Sequence, residues 1–134
     1  MSTRLQKTLV FAVAVAMLCT IAYFVVALVR DRDSVPLAEA ASRVGVKPTY
    51  ADIVQYINRT IQKGMSRVEV ETTLQRIAPI EVKRGELLDT PALGGSTTCD
   101  YITLKIGNFF DYPYFSACYY GSGDSLFNWE HKGS

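Results

Sequence analysis

The sequence predicts an α+β protein: one transmembrane helix, then two helices packed on a three- to four-stranded antiparallel sheet as a two-layer sandwich. Three observations carry this expectation. The block Leu9 to Val29 is 21 residues long, and only Thr20 in it is not apolar. Two stretches after it repeat apolar residues at helical spacing. Beyond Pro79 the period shortens to two, and ten of the fifteen aromatics lie between Tyr101 and Trp129, a composition suited to sheet.

The apolar block matches the roughly 20 residues that a helix needs to cross a bilayer. Arg4 and Lys7 precede it without a neighbouring acid, and Arg30, Asp31, Arg32 and Asp33 follow it. The two flanks carry similar basic charge, so the free amino terminus tips the expected orientation towards a cytoplasmic N-terminus. Residues 1–8 are then cytoplasmic, 9–29 span the membrane, 30–48 form a stalk, and 49–132 form an extracytoplasmic domain. A cleaved signal peptide has a shorter apolar core, and the nearest A-x-A pattern, Ala38-Glu39-Ala40, lies well past this one. Lipidation at Cys19 would want a small residue where Leu18 stands, so Cys19 reads as a small hydrophobe in the helix.

The stalk contains Pro36, several small residues and mixed charges, with Leu37 to Val44 able to make a short helical turn. Thr49 opens the first helix of the domain, and Thr49 with Asp52 resembles a capping box. Tyr50, Ile53, Val54, Ile57 and Ile61 form its apolar face, and Gly64 stands where a left-handed C-cap belongs. The second helix follows at once: Ser66 and Glu69 form a capping box, Met65 and Val70 a hydrophobic staple, and Val70, Leu74 and Ile77 the inward face. Pro79 closes it.

Ile80 to Lys83 alternates as a short strand. Arg84 to Thr98, with Gly85, Pro91, Leu93, Gly94 and Gly95, reads as a long loop. Cys99 to Ile106 is a second strand with Ile102, Leu104 and Ile106 on one face, and Tyr114 to Tyr120 a third. Gly121 to Asp124 is a hairpin turn leading into Ser125 to His131, with Phe127 and Trp129 on one side. With Cys19 in the membrane, Cys99 and Cys118 remain, and in an oxidising compartment they pair.

The run Ile61-Gln62-Lys63-Gly64-Met65-Ser66, followed by Val70 and Leu74, resembles the corner signature of the SmpA/OmlA (BamE-like) domain family. The terminal hairpin with Leu126, Phe127 and Trp129 is similar to that family's last strand pair. The resemblance covers about 49–132 and implies a two-helix-on-sheet domain that binds another protein. Known members are mostly outer-membrane lipoproteins of the β-barrel assembly machine, and a related fold serves as a β-lactamase inhibitor. This chain departs from them in its transmembrane block, its missing lipobox, its Cys99/Cys118 pair and its long loop before the second strand.

No catalytic set emerges. Gly123-Asp124-Ser125-Leu126 spells an esterase signature, but the single histidine, His131, lies six residues on along the same strand, roughly 20 Å away. One histidine and two separated cysteines do not make a zinc site, and no phosphate loop is present, so no cofactor is expected. A net charge of +1 excludes electrostatic nucleic-acid binding. Glu69 and Glu71 read as a solvated helix flank, and Asn58-Arg59-Thr60 is a formal glycosylation sequon inside a helix. The partners expected are the bilayer, through 9–29, and another envelope or membrane protein. Contact candidates are Phe109, Phe110, Tyr112, Leu93 and Trp129, because exposed aromatics in loops anchor partners. The alternative is inhibition or sensing through the exposed sheet face.

Overall fold

A computed structural model describes residues 3–31, 33–93, 95–121 and 124–133; the side chains of Val29, Arg30, Asp31, Thr90, Leu93 and Phe109 fall outside that description. The chain divides into two compact units, Met1–Arg32 and Asp33–Ser134. The first is helix α1 (Thr3–Asp31), of which Thr3–Leu28 is long and apolar enough to span a membrane or to serve as a signal sequence.

The second unit is α+β. Helices α2 (Leu37–Val44), α3 (Tyr50–Thr60) and α4 (Arg67–Gln75) precede five strands: β1 (Ile80–Lys83), β2 (Leu88–Thr90), β3 (Gly95–Leu104), β4 (Tyr114–Tyr120) and β5 (Ser125–Gly133). The sheet is antiparallel in the order β1-β3-β4-β5, with β2 also paired to β3. The helices pack on one face. Ile53, Ile57, Val70 and Leu74 meet Ile102, Leu104, Phe115, Ala117 and Tyr119 in one continuous core.

The expected stalk is instead part of this domain. Val35 N–H donates to the Lys105 carbonyl at 3.0 Å, and Gly107 N–H donates to the Val35 carbonyl at 2.7 Å. Ala40 and Ala41 of α2 are fully buried in the core. Small side chains allow α2 to pack closely without the wide apolar stripe that a sequence reading looks for.

At α3, Thr49 Oγ1 accepts from Asp52 N–H at 3.1 Å, while Thr49 N–H donates to the Lys47 carbonyl, so the cap is one-sided. At α4 the full capping box forms: Ser66 Oγ accepts from Glu69 N–H, and Glu69 Oε2 accepts from Ser66 N–H at 2.7 Å. The expected C-cap at Gly64 is different. Helix α3 ends at Thr60, and Ile61 is already extended and buried. Gly64 is left-handed (φ +92°) in the corner beyond, where its N–H donates to the Leu126 carbonyl and Leu126 N–H donates to the Met65 carbonyl, both at 2.8 Å. The Gly64-Met65-Ser66 corner thus pairs with the first residues of β5.

The long loop also gains structure. Leu88–Thr90 pairs with Gly95–Thr97 as β2, and Pro91–Leu93 makes one 3₁₀ turn between them. Ser122 and Gly123 of the expected hairpin turn lie outside the described residues. Strand β5 carries two bulges opposite β4, at Phe127 and Lys132. The first turns Phe127 and Trp129 to opposite faces of the sheet, where regular alternation had placed them together.

Candidate partner-binding surface

The face of the sheet turned away from the helices is the candidate site. Residues directly opposite one another share a face, so the register builds it row by row. At one end Leu88, Thr97 and Tyr120 are in register, and the Phe127 ring lies 4.6 Å from that of Tyr120. Next comes the row Cys99, Cys118 and Asn128. Then follow Lys83, Tyr101, Ser116 and Glu130, and finally Glu81, Thr103 and Tyr114. Tyr101 is 48% exposed and Tyr114 is 41% exposed.

Cys99 and Cys118 form the expected disulfide across the middle of this face, with Cα atoms 4.0 Å apart. It ties β3 to β4 at directly opposed positions and covers the centre of the face with an apolar group. Lys132 Nζ donates to Glu130 Oε2 at 2.8 Å, and that hydrogen bond holds the ammonium pKa above its ordinary value, with the Tyr101 and Tyr114 hydroxyls adding to the same direction. The face is apolar at the Leu88–Phe127 end and carries two tyrosines among charged side chains at the other, with Lys132 paired to Glu130.

Behind it, on the helix side of β3, lies a buried carboxylate. Asp100 Oδ2 accepts from Arg67 Nε and from Arg84 Nη1, both at 2.8 Å. Arg84 reaches on to Glu71 at 2.5 Å, and this hydrogen bond raises its pKa further; Arg67 reaches Asp124 at 3.2 Å. The Arg67 guanidinium also sits 4.8 Å from the centroid of the Tyr119 ring. Burial, reinforced by the negative charge of Asp100, drives the Tyr119 phenol pKa well up. Side chains from α4, β3, β4 and the chain after β1 thereby meet at one point, which fixes the strands whose other faces form the surface.

The residues expected to contact a partner separate. Phe110 is 57% exposed, on the 3₁₀ turn Phe109–Asp111. Tyr112 is buried at 8% exposure, because the chain turns inward there to bring Pro113 beside β3; its role as a contact residue is corrected accordingly. Trp129 is half-buried on the helix face. It stacks on Phe115 at 4.8 Å and donates from Nε1 to Asn58 Oδ1 at 2.9 Å, so it works as a strut between β5 and α3. The side chains of Leu93 and Phe109 lie outside the described residues. Ser125 sits in an antiparallel bridge with Ser66, and the His131 ring packs 5.3 Å from Phe115.

Sequence reasoning missed Tyr101, Tyr114, Tyr120 and Leu88 as a set. A signal was present: the alternation that places Ile102 and Leu104 inside places Tyr101 outside. Leu88 needed the β2 pairing, which no local pattern announces. Compared with protein-family models, with curated proteins and with solved structures, the chain matches none.

Proposed function

We propose that the chain is a single-pass, membrane-anchored protein-binding module without catalytic activity, with its folded domain outside the cytoplasm and an assembly role in the cell envelope. The observation that carries this reading is the open sheet face, where Leu88, Tyr101, Tyr114, Tyr120 and Phe127 surround the disulfide. Tyrosine and phenylalanine supply large contact area for little lost side-chain freedom, and such residues dominate interface energetics. A rigid sheet holds them in place before the partner arrives, which lowers the ordering cost of association. The disulfide fits an oxidising compartment, and α1 supplies the anchor. Membership of the BamE-like family is part of the same reading. It draws support from the helix–corner–helix order and the C-terminal hairpin.

The test is co-purification of the full-length chain from gently solubilised membranes, with and without Tyr101→Ala and Tyr114→Ala together. A stoichiometric partner lost in the double variant, at unchanged melting temperature, supports the reading. A partner retained by the double variant places the interface elsewhere. A second reading, inhibition or ligand sensing through the same face, gains support from its mixture of apolar and tyrosine-lined ends. It predicts that a purified enzyme or small ligand, rather than a stable envelope subunit, protects Tyr101 and Tyr120 from chemical modification.

A further inference from the structure

We infer that the open sheet face binds a second copy of the same chain, in a dimer whose two-fold axis runs parallel to β3 and β4 and between them. The inference rests on the reading of this face as a protein-binding surface, and it names the occupant. A two-fold axis demands a surface that is complementary to itself. When two sheets stack face to face about such an axis, each row of one copy meets the same row of the other in reverse order. Strand β1 then faces β5 of the second copy, and β3 faces its β4.

The charges meet this condition. One row reads Lys83, Tyr101, Ser116, Glu130 from β1 to β5, with a base at one edge and an acid at the other. The next reads Glu81, Thr103, Tyr114 and, in the bulge beside Gly133, Lys132, with the signs exchanged. Reversal places Lys83 over Glu130 of the second copy and Glu81 over its Lys132, and the symmetry repeats both pairs. Neither row brings like charges together. Within one chain, Lys83 and Glu81 make no ion pair among the described residues, and Lys132 meets Glu130 at 2.8 Å. The four charges sum to zero, so the two faces carry no net repulsion.

The shapes agree with the charges. The same reversal sets the exposed Tyr101 over the small Ser116 of the second copy, and the exposed Tyr114 over its Thr103, so large side chains meet small ones. The disulfide lies in the neighbouring row beside the axis and supplies an apolar centre. Stacked sheets sit about 10 Å apart and cross at about 30°. Strands β1 and β5 lie about 7 Å from the axis, so this crossing slides facing edge residues by about 4 Å, a distance that lysine and glutamate side chains span. The face covers roughly 500 Å² in each copy, or about 1,000 Å² in the pair, the size of a reversible interface.

The experiment co-produces two full-length versions of the chain with different tags, solubilises them in mild detergent, captures one tag and reads the other. Parent versions should capture one another. Lys83→Glu in both versions, or Glu130→Lys in both, opposes like charges at two places and should lower capture about tenfold. Lys83→Glu in one version with Glu130→Lys in the other restores both pairs across the mixed dimer, and capture should return to the parent level. Contact between positions 83 and 130 of different copies gives that rescue, and misfolding of a variant does not. Equal capture in all four combinations, or no rescue in the mixed one, overturns the inference. Absence of mutual capture in the parent chain overturns it as well. A different protein captured in that case, and lost on Tyr101→Ala with Tyr114→Ala, leaves the face standing as a partner-binding surface; its retention by that double variant removes both readings.

Discussion

Asp100 is fully buried, and its Oδ2 atom receives both the Nε of Arg67 and the Nη1 of Arg84 at 2.8 Å. Arg67 opens α4 and Arg84 follows β1, so one carboxylate on β3 holds a helix and the end of a neighbouring strand. Asp100→Ala removes the one buried acceptor that both guanidinium groups share, while those groups stay partly exposed and keep Asp124 and Glu71, so it should lower stability by about 2 kcal/mol. Arg84→Ala, whose side chain is half exposed, should cost about 1 kcal/mol or less. Urea unfolding of the two variants checks the order, and an equal cost would show that Asp100 does not centre the cluster.

The disulfide joins positions 19 residues apart. Closing a loop of that length stabilises a small domain by roughly 3 kcal/mol. Cys99→Ala with Cys118→Ala should lower the urea midpoint accordingly. Mass analysis of the chain exported to an oxidising compartment should find it two hydrogens lighter than the reduced form, and two titratable thiols outside α1 would refute the pairing.

Two glycines separate backbone strain from steric conflict. Gly64 (φ +92°) has open space where a side chain would start, so Gly64→Ala should cost only the left-handed penalty, about 1 kcal/mol. Gly107 (φ +69°) is also left-handed, and a methyl group there would collide with the Tyr50 hydroxyl, which donates to the Ile106 carbonyl. Gly107→Ala should therefore lower the melting temperature more than Gly64→Ala does. The reverse order would show that the α3–β3 contact yields easily.

The Tyr119 hydroxyl is buried and has no hydrogen-bond partner among the described residues. Tyr119→Phe keeps the ring beneath Arg67 and removes an unsatisfied group, so it should raise stability by about 1 kcal/mol at neutral pH. The pH dependence has a definite sign. The folded phenol holds its proton more tightly than the unfolded one. Stability is therefore insensitive to this group below pH ~10 and declines as pH rises above that value, where the unfolded phenol ionises and the folded one does not. Urea midpoints taken from pH 8 to pH 11 should fall less steeply in Tyr119→Phe than in the parent chain.

Much of this architecture was legible from local patterns. The Ser66/Glu69 cap, the strands Ile80–Lys83 and Tyr114–Tyr120 and the disulfide follow from turn chemistry, period-two alternation and cysteine arithmetic. What escaped depends on partners distant in sequence. Val35 and Ala40 belong to the core only because β3 and the other helices come to them. The Phe127 bulge reverses the side of the sheet on which Trp129 falls, and bulges leave no periodic trace. Half of the candidate surface was implicit in the outward positions of the alternating strands. The other half, at Leu88, arose from a strand too short for any window to register.

The two bulges in β5 bear on how copies of the chain coexist. Strand β5 forms an edge of the sheet, and its outer margin, after the first residues taken by the Gly64 corner, offers backbone groups to any neighbouring chain. Kinks at Phe127 and Lys132, with the Lys132–Glu130 charge pair beside them, break the straight run that a foreign strand would need to zip along. The same irregularity that frustrates prediction is a safeguard against edge-to-edge fibre growth.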